Sequence, residues 1–394
     1  MKVMKLSSIL LCVLLIMSCK SNDIVQNQPI PPVESIYLDE KFEGYDDFLV
    51  ETEEEVFAID DEMRLMVKTE LAPIKDPKKR AEKLLQQLFD SDTINIQYVG
   101  LANLTARQTY HQGSANCMSL TIMAYSLAKE ADLTVNFQDV YVPEYWQRNG
   151  DYNMMTGHVN LLIKTTIDAP NVIKLRDKVV EIDFDPFVAK KSFKKKLISK
   201  HTMLAIFYNN KGANALANRD FNTAYRYFKA AVKADKKFSS AWGNLGILYK
   251  TTGNYEHADF AYRKAIFLDD YNNTALDNYA ILLRKNGFHD DAEVIEKKIL
   301  QRRVSNPYYY ALLASEAEYK GNYDIAVNHY RKAIKLNNRI DELYIGLAST
   351  YYKMGNYKSA QAATKKAIQI NKNADKDQQY LAKLNFLKQA DHTH

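Results

Sequence analysis

The sequence predicts an α+β domain followed by an all-α solenoid of paired helices. Two patterns support this prediction. Helical apolar spacing gives way to strand-like alternation between residues 76 and 183, and alanines then recur every 34 residues through the C-terminal half. Helical and strand-like spacing can be told apart because apolar side chains recur about every 3.6 residues on one face of a helix and every two residues on one face of a strand. With 394 residues, 46% of them hydrophobic and 26% charged, the chain is long enough for two globular domains.

Residues 1–18 are predicted to be an export signal. A basic start over residues 1–5 precedes an apolar run over residues 6–17. The motif Ile16-Met17-Ser18-Cys19 resembles a bacterial lipobox, which implies a lipid on Cys19 that attaches the chain to the membrane. We therefore expect a protein of the bacterial cell envelope, anchored in the outer membrane on its periplasmic or surface side. The alternative is an ordinary secretory signal that is cut near this cysteine.

Residues 19–50 are expected to be a tether and an acidic linker, since residues 20–34 are polar and rich in Pro, Asn and Gln. Acidic residues continue from Asp39 to Glu62, whereas the C-terminal half is basic, and the formal net charge is only +5. A solvated surface explains this distribution better than nucleic-acid binding, so no nucleic-acid partner is expected. The acidic segment is a candidate cover for either the basic repeats or the cleft of the first domain.

Cys117 is the thiol that requires an explanation. Cys12 lies in the predicted signal and Cys19 carries the predicted lipid, so Cys117 has no intramolecular partner. An unpaired thiol in an oxidising compartment is either functional or deeply buried. Helical apolar spacing begins at Cys117, and Asn116 or Ser114 is suited to cap the helix. Cys117 would then lie in the first helical turn, where free N–H groups and the helix dipole favour a thiolate.

A helix and several strands are predicted around this cysteine. The helix covers residues 76–89, a short strand covers 95–99, and longer strands cover 135–142, 159–164 and 179–183. His158 directly precedes the second long strand, and Asp183 ends the third. If these two strands are antiparallel neighbours, His158 and Asp183 lie side by side and face the start of the cysteine helix. A thiol nucleophile, an imidazole base and an orienting carboxylate would then lie together.

Three motifs carry these residues, in the order Asn116-Cys117-Met118-Ser119-Leu120, His158-Val159-Asn160-Leu161-Leu162 and Val179-Val180-Glu181-Ile182-Asp183. They resemble the transglutaminase-like superfamily, which shares the papain fold of cysteine proteases. The resemblance implies a transglutaminase-like domain over residues 51–200. In that domain Cys117 is the nucleophile, His158 the base and Asp183 the residue that orients the base.

The same resemblance introduces two further candidates and two departures. Asp185 is a rival to Asp183, since Asp185-Pro186 matches an Asp-Pro pair common in the family. Gln112 is a candidate to stabilise the oxyanion together with the Cys117 backbone N–H. Ala115 stands where the family often has glycine, and the tryptophan common just before the acid is replaced by Glu181-Ile182.

The C-terminal half repeats itself with a period of 34 residues. Alanines recur at Ala224, Ala258, Ala292, Ala326 and Ala360, and a glycine stands five residues before each of the last four. Each unit predicts two antiparallel helices joined at the glycine, and such units bury their apolar faces by stacking. The pattern resembles the tetratricopeptide repeat and implies five repeats over residues 203–374, starting near residues 205, 239, 273, 307 and 341. Residues 375–394 are predicted to be a capping helix and a tail.

The concave side of such a solenoid is its usual binding face. Helix position places basic and aromatic side chains there, namely Lys250, Arg284, Lys285, Tyr308, Tyr319, Tyr352 and Lys353. This combination suits an extended or acidic peptide, so a protein or peptide partner is expected in the groove. The alternative is that these positions are merely solvated and the solenoid is a spacer.

No spacing of His, Cys and carboxylate residues is typical of a metal site, and no nucleotide-binding loop is present, so neither a metal nor a cofactor is expected. The resemblance implies thioester acyl transfer at peptide or isopeptide bonds, with hydrolysis favoured over crosslinking. Two alternatives stay open. In the first, Cys117 is only a buried structural residue. In the second, the protein is a non-catalytic scaffold of repeats with a vestigial triad.

Overall fold

The structure, a computed structural model, describes residues 32–46, 49–89, 97–100, 102–149, 152–165, 179–184, 193–371, 380–381 and 383–384. The predicted export signal, Cys19 and Asp185 lie outside these residues. The chain divides into two compact units, one of Met1–Val140 with His158–Ile299 and one of Tyr141–Gly157 with Leu300–His394. This division differs from the predicted boundary between residues 200 and 203, because the α+β region and the first repeats belong to the same unit.

The N-terminal segment of residues 32–46 packs against the first repeats of its unit. Short 3₁₀ helices run over Val33–Ile36 and Asp39–Lys41. Ile36 and Phe42 are buried, and the Phe42 ring stacks on the Tyr225 ring with centroids 4.3 Å apart. These residues lie in the predicted linker of residues 19–50, and burial of their apolar side chains favours docking over a free tether.

Four helices and two short strands lead to the helix that begins at Cys117. They are α1 (Glu53–Phe57), α2 (Asp61–Met66, continued by a π-helical turn over Val67–Leu71), α3 (Pro77–Phe89), β1 (Gln97–Tyr98), α4 (Ala106–Gln112) and β2 (Ser114–Ala115), followed by α5 (Cys117–Glu130). Strands β1 and β2 pair in parallel. The helix predicted over residues 76–89 is present as α3. Helices α1 and α2 are too short to give a helical period, so the sequence did not predict them.

An antiparallel sheet follows α5. Its strands are β3 (Thr134–Val140), β6 (His158–Lys164), β7 (Val179–Ile182) and β8 (Lys195–Ile198), and their spatial order is β7-β6-β3-β8. Between β3 and β6 the chain forms a separate hairpin of β4 (Trp146–Asn149) and β5 (Tyr152–Met155). Phe137, Leu161 and Ile182 are register partners and are buried. The Phe137 ring stacks on that of Tyr125 in α5, with centroids 4.3 Å apart. Helix α5 therefore packs against this face of the sheet.

The first unit also contains the first two helix pairs and most of the third. These are α6 (Lys200–Ala217) with α7 (Phe221–Ala234), α8 (Ser239–Thr251) with α9 (Tyr255–Leu268), and α10 (Asn273–Lys285) with α11 (His289–Arg303). The predicted repeat starts near residues 239 and 273 coincide with helix starts. The first helix begins at Lys200 rather than near Ala205, because Ser199 caps it by accepting a hydrogen bond from the Thr202 N–H.

The second unit contains two more helix pairs, α12 (Pro307–Tyr319) with α13 (Tyr323–Leu336) and α14 (Asp341–Lys353) with α15 (Tyr357–Ile370). The glycines between paired helices have positive φ angles of +73° to +86°, which explains why glycine recurs there. Residues 380–381 and 383–384 are helical, while the rest of the predicted capping helix lies outside the described residues. None of the described helices is both long enough and apolar enough to cross a membrane.

Candidate functional site

Cys117 is the first residue of α5 and its side chain is buried, with 9% of the residue exposed. Asn116 is the N-cap, and its side-chain oxygen accepts a hydrogen bond of 2.8 Å from the Ser119 N–H. The Asn116 side-chain nitrogen donates to the Gly100 carbonyl at 3.2 Å and to the Asn103 side chain at 2.9 Å. One buried asparagine therefore joins the start of α5 to the loop between β1 and α4 and fixes the position of the thiol.

His158 is the first residue of β6, and it contacts the carboxylate that follows β7. Its Nε2 lies 2.8 Å from Asp183 Oδ1 and 2.9 Å from Oδ2. Both side chains are buried, with 5% and 2% exposed respectively. The sheet brings them together because β6 and β7 are antiparallel neighbours, with Leu161 opposite Ile182. The predicted pairing of His158 with Asp183 is present in the structure.

The Cys117 side chain interacts with the same imidazole. Burial by itself would lower the pKa of His158, but hydrogen bonds with Asp183 and Cys117 and their electrostatic interactions raise this pKa to about 10. An imidazole between a carboxylate and a thiol can move a proton to or from the sulfur, so the arrangement is suited to nucleophilic chemistry.

Two other predicted members of this site, Gln112 and Asp185, stay predictions. Gln112 is the last residue of α4 and is exposed, so its suggested role at the oxyanion stays a prediction. Asp185, the rival of Asp183, lies outside the described residues, as does Cys19. Within the described ranges, no three His, Cys, Asp or Glu side chains are grouped so that they could hold a metal ion.

Sequence reasoning missed Asn160, which lies beside the pair. Its side-chain nitrogen donates to Asp183 Oδ2 at 2.9 Å and to Glu181 Oε1 at 3.2 Å, and Glu181 also forms an ion pair with Lys195. Asn160 stands two residues after His158, so both side chains project from the same face of β6. This spacing is a signal present in the sequence, but the contact depends on which strand pairs with β6.

The predicted groove residues of the first unit are engaged within the repeats. Lys250 donates to the Asn278 side chain at 2.7 Å, and burial lowers the pKa of Lys250. Arg284 forms two hydrogen bonds of 2.7 and 2.6 Å with Glu296. Lys285 Nζ lies 3.5 Å from the centroid of a tyrosine ring, that of Tyr255. These contacts occupy the cationic groups that were expected to face a partner.

The predicted groove residues of the second unit are more varied. Tyr308 is half-buried near Tyr145, with ring centroids 5.9 Å apart, and Lys353 pairs with a glutamate, Glu318, at 2.6 Å. Tyr319 is 66% exposed and Tyr352 38% exposed. The exposed groups of this unit's predicted groove are therefore mainly aromatic, and its one lysine already has an acidic neighbour.

Family comparisons identify some of the helix pairs. Residues 239–272 and 341–374 match models of the tetratricopeptide repeat, and residues 319–355 match a TPR repeat model. These segments are tetratricopeptide repeats. Repeats of this kind bind protein or peptide partners, which makes protein interaction the function indicated for this part of the chain. A search of curated proteins found no similar sequence.

Similar solved structures include PilF of Pseudomonas aeruginosa, with 18% identity over 50% of this chain and 90% of that one and a TM-score of 0.29. MamA of Desulfovibrio magneticus RS-1 is 18% identical, covering 42% of this chain and 94% of that one, with a TM-score of 0.25. YrrB, a TPR protein with an unusual peptide-binding site, is 17% identical over 43% of this chain and 88% of that one, with a TM-score of 0.25. At these TM-scores the similarities add nothing to the argument.

Proposed function

We propose that the α+β region is a transglutaminase-like acyl transferase in which Cys117, His158 and Asp183 act together on peptide or isopeptide amide bonds. The observation that carries the proposal is the buried pair of His158 Nε2 and Asp183, together with the buried Cys117 at the start of α5. A buried carboxylate fixes the tautomer and the orientation of such an imidazole, and the imidazole activates the thiol.

In the first proposed half-reaction, the Cys117 sulfur attacks the amide carbonyl carbon. The C–N bond breaks, and the proton that leaves the thiol passes through His158 to the departing amine. A thioester on Cys117 remains. The backbone N–H of Cys117 is available to the oxyanion because the first N–H groups of a helix have no partner within it. Gln112 is a candidate second donor.

In the second half-reaction, water attacks the thioester carbonyl while His158 accepts its proton. The C–S bond breaks, the acid product leaves, and His158 returns the proton to the sulfur. A second amine in place of water would give a crosslink. We propose hydrolysis as the main outcome, with the repeats recruiting a protein partner or the protein substrate.

The pH dependence of Cys117 alkylation tests the proposed triad. The full-length chain is solubilised in detergent and treated with iodoacetamide, and mass spectrometry follows the peptide that contains Cys117. At pH 6 we expect alkylation about tenfold slower in His158→Ala than in the unmodified chain, because the imidazolium that stabilises the thiolate is lost. His111→Ala is the matched control, since His111 also contacts an aspartate, Asp60, but at an exposed position. Equal rates at pH 6 in all three proteins would refute the proposal.

We also propose that the chain is a lipoprotein of the bacterial cell envelope, anchored through Cys19 in the outer membrane. The lipobox-like motif Ile16-Met17-Ser18-Cys19 supports this proposal. Metabolic labelling with a palmitate analogue should mark the expressed protein and should not mark Cys19→Ala. Equal labelling of the two proteins, or none in either, would contradict it.

A second candidate function is that of a non-catalytic scaffold built on the repeats. The observation that favours it is the low exposure of Cys117, at 9%, since a buried thiol also serves as a small packing residue. Crosslinking in cells followed by purification separates the two functions. A scaffold should recover the same partners, uncleaved and in equal amounts, from Cys117→Ala and from the unmodified chain. An enzyme should accumulate uncleaved substrate only on Cys117→Ala.

A further inference from the structure

Asn160 is fully buried and contacts two carboxylates. It lies on β6 two residues after His158, and its side-chain nitrogen donates to Asp183 at 2.9 Å and to Glu181 at 3.2 Å. A carboxamide nitrogen carries two N–H groups, so each can serve one carboxylate. A buried asparagine used in this way has its orientation set by its partners, which makes it a rigid support.

Asp183 needs such a support because it lies just beyond the last residue of β7, which ends at Ile182. Its Oδ2 accepts from both the His158 ring at 2.9 Å and Asn160 at 2.9 Å, while Oδ1 faces the ring at 2.8 Å. The Asn160 donor on Oδ2 adds to the ring's contact with both oxygens and so restricts rotation of the carboxylate about its side-chain bonds.

Glu181, the second carboxylate that Asn160 contacts, is also held in place. Glu181 forms an ion pair with Lys195, and these residues come from β7 and β8, the two edge strands of the sheet. Asn160 on β6 thus lies between an ion pair that fixes Glu181 and the carboxylate that contacts His158. The charged and titratable groups that act on His158 are Asp183, the Cys117 thiol and Asp139 of β3.

We propose that Asn160 is a positioning residue of the site: it holds the Asp183 carboxylate against His158 Nε2 and thereby orients the ring towards Cys117. This inference rests on the proposed function of the triad. Asn160 does not touch a reacting atom. Its effect is transmitted through Asp183, so its loss should weaken the thiol–imidazole pair without removing any member of the triad.

The test compares pH profiles of Cys117 alkylation, between pH 5 and pH 9, in the full-length chain and in Asn160→Leu, which has a similar volume but no donor. We expect alkylation of Asn160→Leu to be about tenfold slower at pH 6 and almost unchanged at pH 9, where an ordinary thiol is already largely ionised. Gln138→Leu is the matched control, because Gln138 is a buried carboxamide opposite Asn160 in the register of β3 and β6. Asn160→Ala replaces the leucine variant if the latter does not fold.

Each outcome has one meaning. A loss confined to low pH in Asn160→Leu, with an unchanged profile in Gln138→Leu, supports the positioning role. A change of equal size at every pH, or the same change in both variants, indicates a structural role only and overturns it. If His158→Ala slows alkylation at pH 6 but Asn160→Leu matches the unmodified chain, the positioning role fails and the proposed function stands. If His158→Ala has no effect, the proposed function itself fails.

Discussion

The charge on the buried His158 imidazole depends on burial and on the side chains of Asp183 and Cys117. Burial disfavours the imidazolium, whereas Asp183 and Cys117 stabilise it, and the net effect raises the pKa of His158 from 6.5 to about 10. In the unfolded chain the same group has its ordinary pKa. Folding therefore favours proton binding at this residue, and the stability of the fold is linked to pH.

This linkage predicts a loss of stability at alkaline pH. Because the pKa of His158 is higher in the folded chain, its contribution is fully present below about pH 6.5 and disappears as the pH rises towards 10. Within this interval the free energy of unfolding of the first unit should fall by up to about 1.4 kcal/mol per pH unit. Urea unfolding at several pH values, followed by tyrosine fluorescence, measures this slope.

The control for this slope is His158→Asn, which cannot titrate in the interval. The difference in unfolding free energy between the unmodified chain and His158→Asn should shrink steadily from pH 6.5 to pH 10. A difference that stays constant over this range would show that the protonation of His158 is not coupled to folding.

Among the secondary-structure elements, α5 depends on its capping asparagine. Asn116 accepts from the Ser119 N–H and donates to the Gly100 carbonyl and the Asn103 side chain, all while buried. We expect Asn116→Ala to lower the free energy of unfolding by about 1–2 kcal/mol, measured in urea. Asn322→Ala is the control, because Asn322 occupies the same position before α13 but makes no side-chain cap. Equal losses in the two variants would contradict a specific role for the Asn116 cap.

The helix pairs of the repeats depend on close approach at particular glycines. A Cβ at Gly246 in α8 would lie 2.6 Å from the ring of Tyr262, which is fully buried in α9. Gly246→Ala should therefore destabilise the first unit by about 1–3 kcal/mol, since either the buried ring or the helix backbone must shift. Thermal unfolding followed by circular dichroism measures this loss.

The matched control is a second glycine of the same helix. A Cβ at Gly243 would meet its nearest neighbour, the side chain of Ala275, at 3.4 Å, which is an ordinary contact. Gly243→Ala should thus leave stability unchanged or raise it by up to about 1 kcal/mol, because alanine has the higher helix propensity. Destabilisation by Gly243→Ala as large as by Gly246→Ala would contradict the steric explanation.

Within the first unit as a whole, the acidic N-terminal segment covers the first repeats. The Tyr225 hydroxyl donates to Asp39 at 2.6 Å, and Lys229 pairs with the same carboxylate. Glu51 accepts a hydrogen bond of 2.9 Å from the Tyr227 hydroxyl and pairs with Lys211. Asp39 and Glu51 of the acidic segment therefore lie on the basic repeats, where opposite charges meet, whereas Asp60, farther along the segment, pairs with His111 of α4.

This docking predicts that the N-terminal segment stabilises the first unit. Phe42→Ala removes a ring that is 2% exposed and stacked on Tyr225. It should lower the free energy of unfolding of the first unit, measured in urea, by about 3–5 kcal/mol. Leu49→Ala is the control, since Leu49 is 93% exposed and its loss should change stability by less than about 0.5 kcal/mol. Identical unfolding midpoints for the two variants would show that the segment does not support the fold.

The sequence predicted those parts of the molecule that depend on local spacing. The repeat period follows from alanines and glycines 34 residues apart, and the start of α5 follows from Asn116 and the apolar spacing after Cys117. Strands β4, β5 and β8 were not predicted, because none of them carries the run of β-branched residues that marks the equally short β7. Side-chain order along a helix or strand is a local property, and the sequence alone is enough to state it.

By itself, then, the sequence determined the helical repeats, the placement of Cys117 in a first helical turn, and the order in which His158 and Asp183 follow it. Only the tertiary structure decided that Asn160 supports Asp183 and that residues 32–46 dock. It also decided that two basic groove residues pair with glutamates of the repeats, Arg284 with Glu296 of its own repeat and Lys353 with Glu318 of the preceding one. The physical reason is sequence separation. The Leu38 N–H donates to the Tyr225 hydroxyl across 187 residues, and such contacts depend on how the elements pack, which spacing along the chain does not encode.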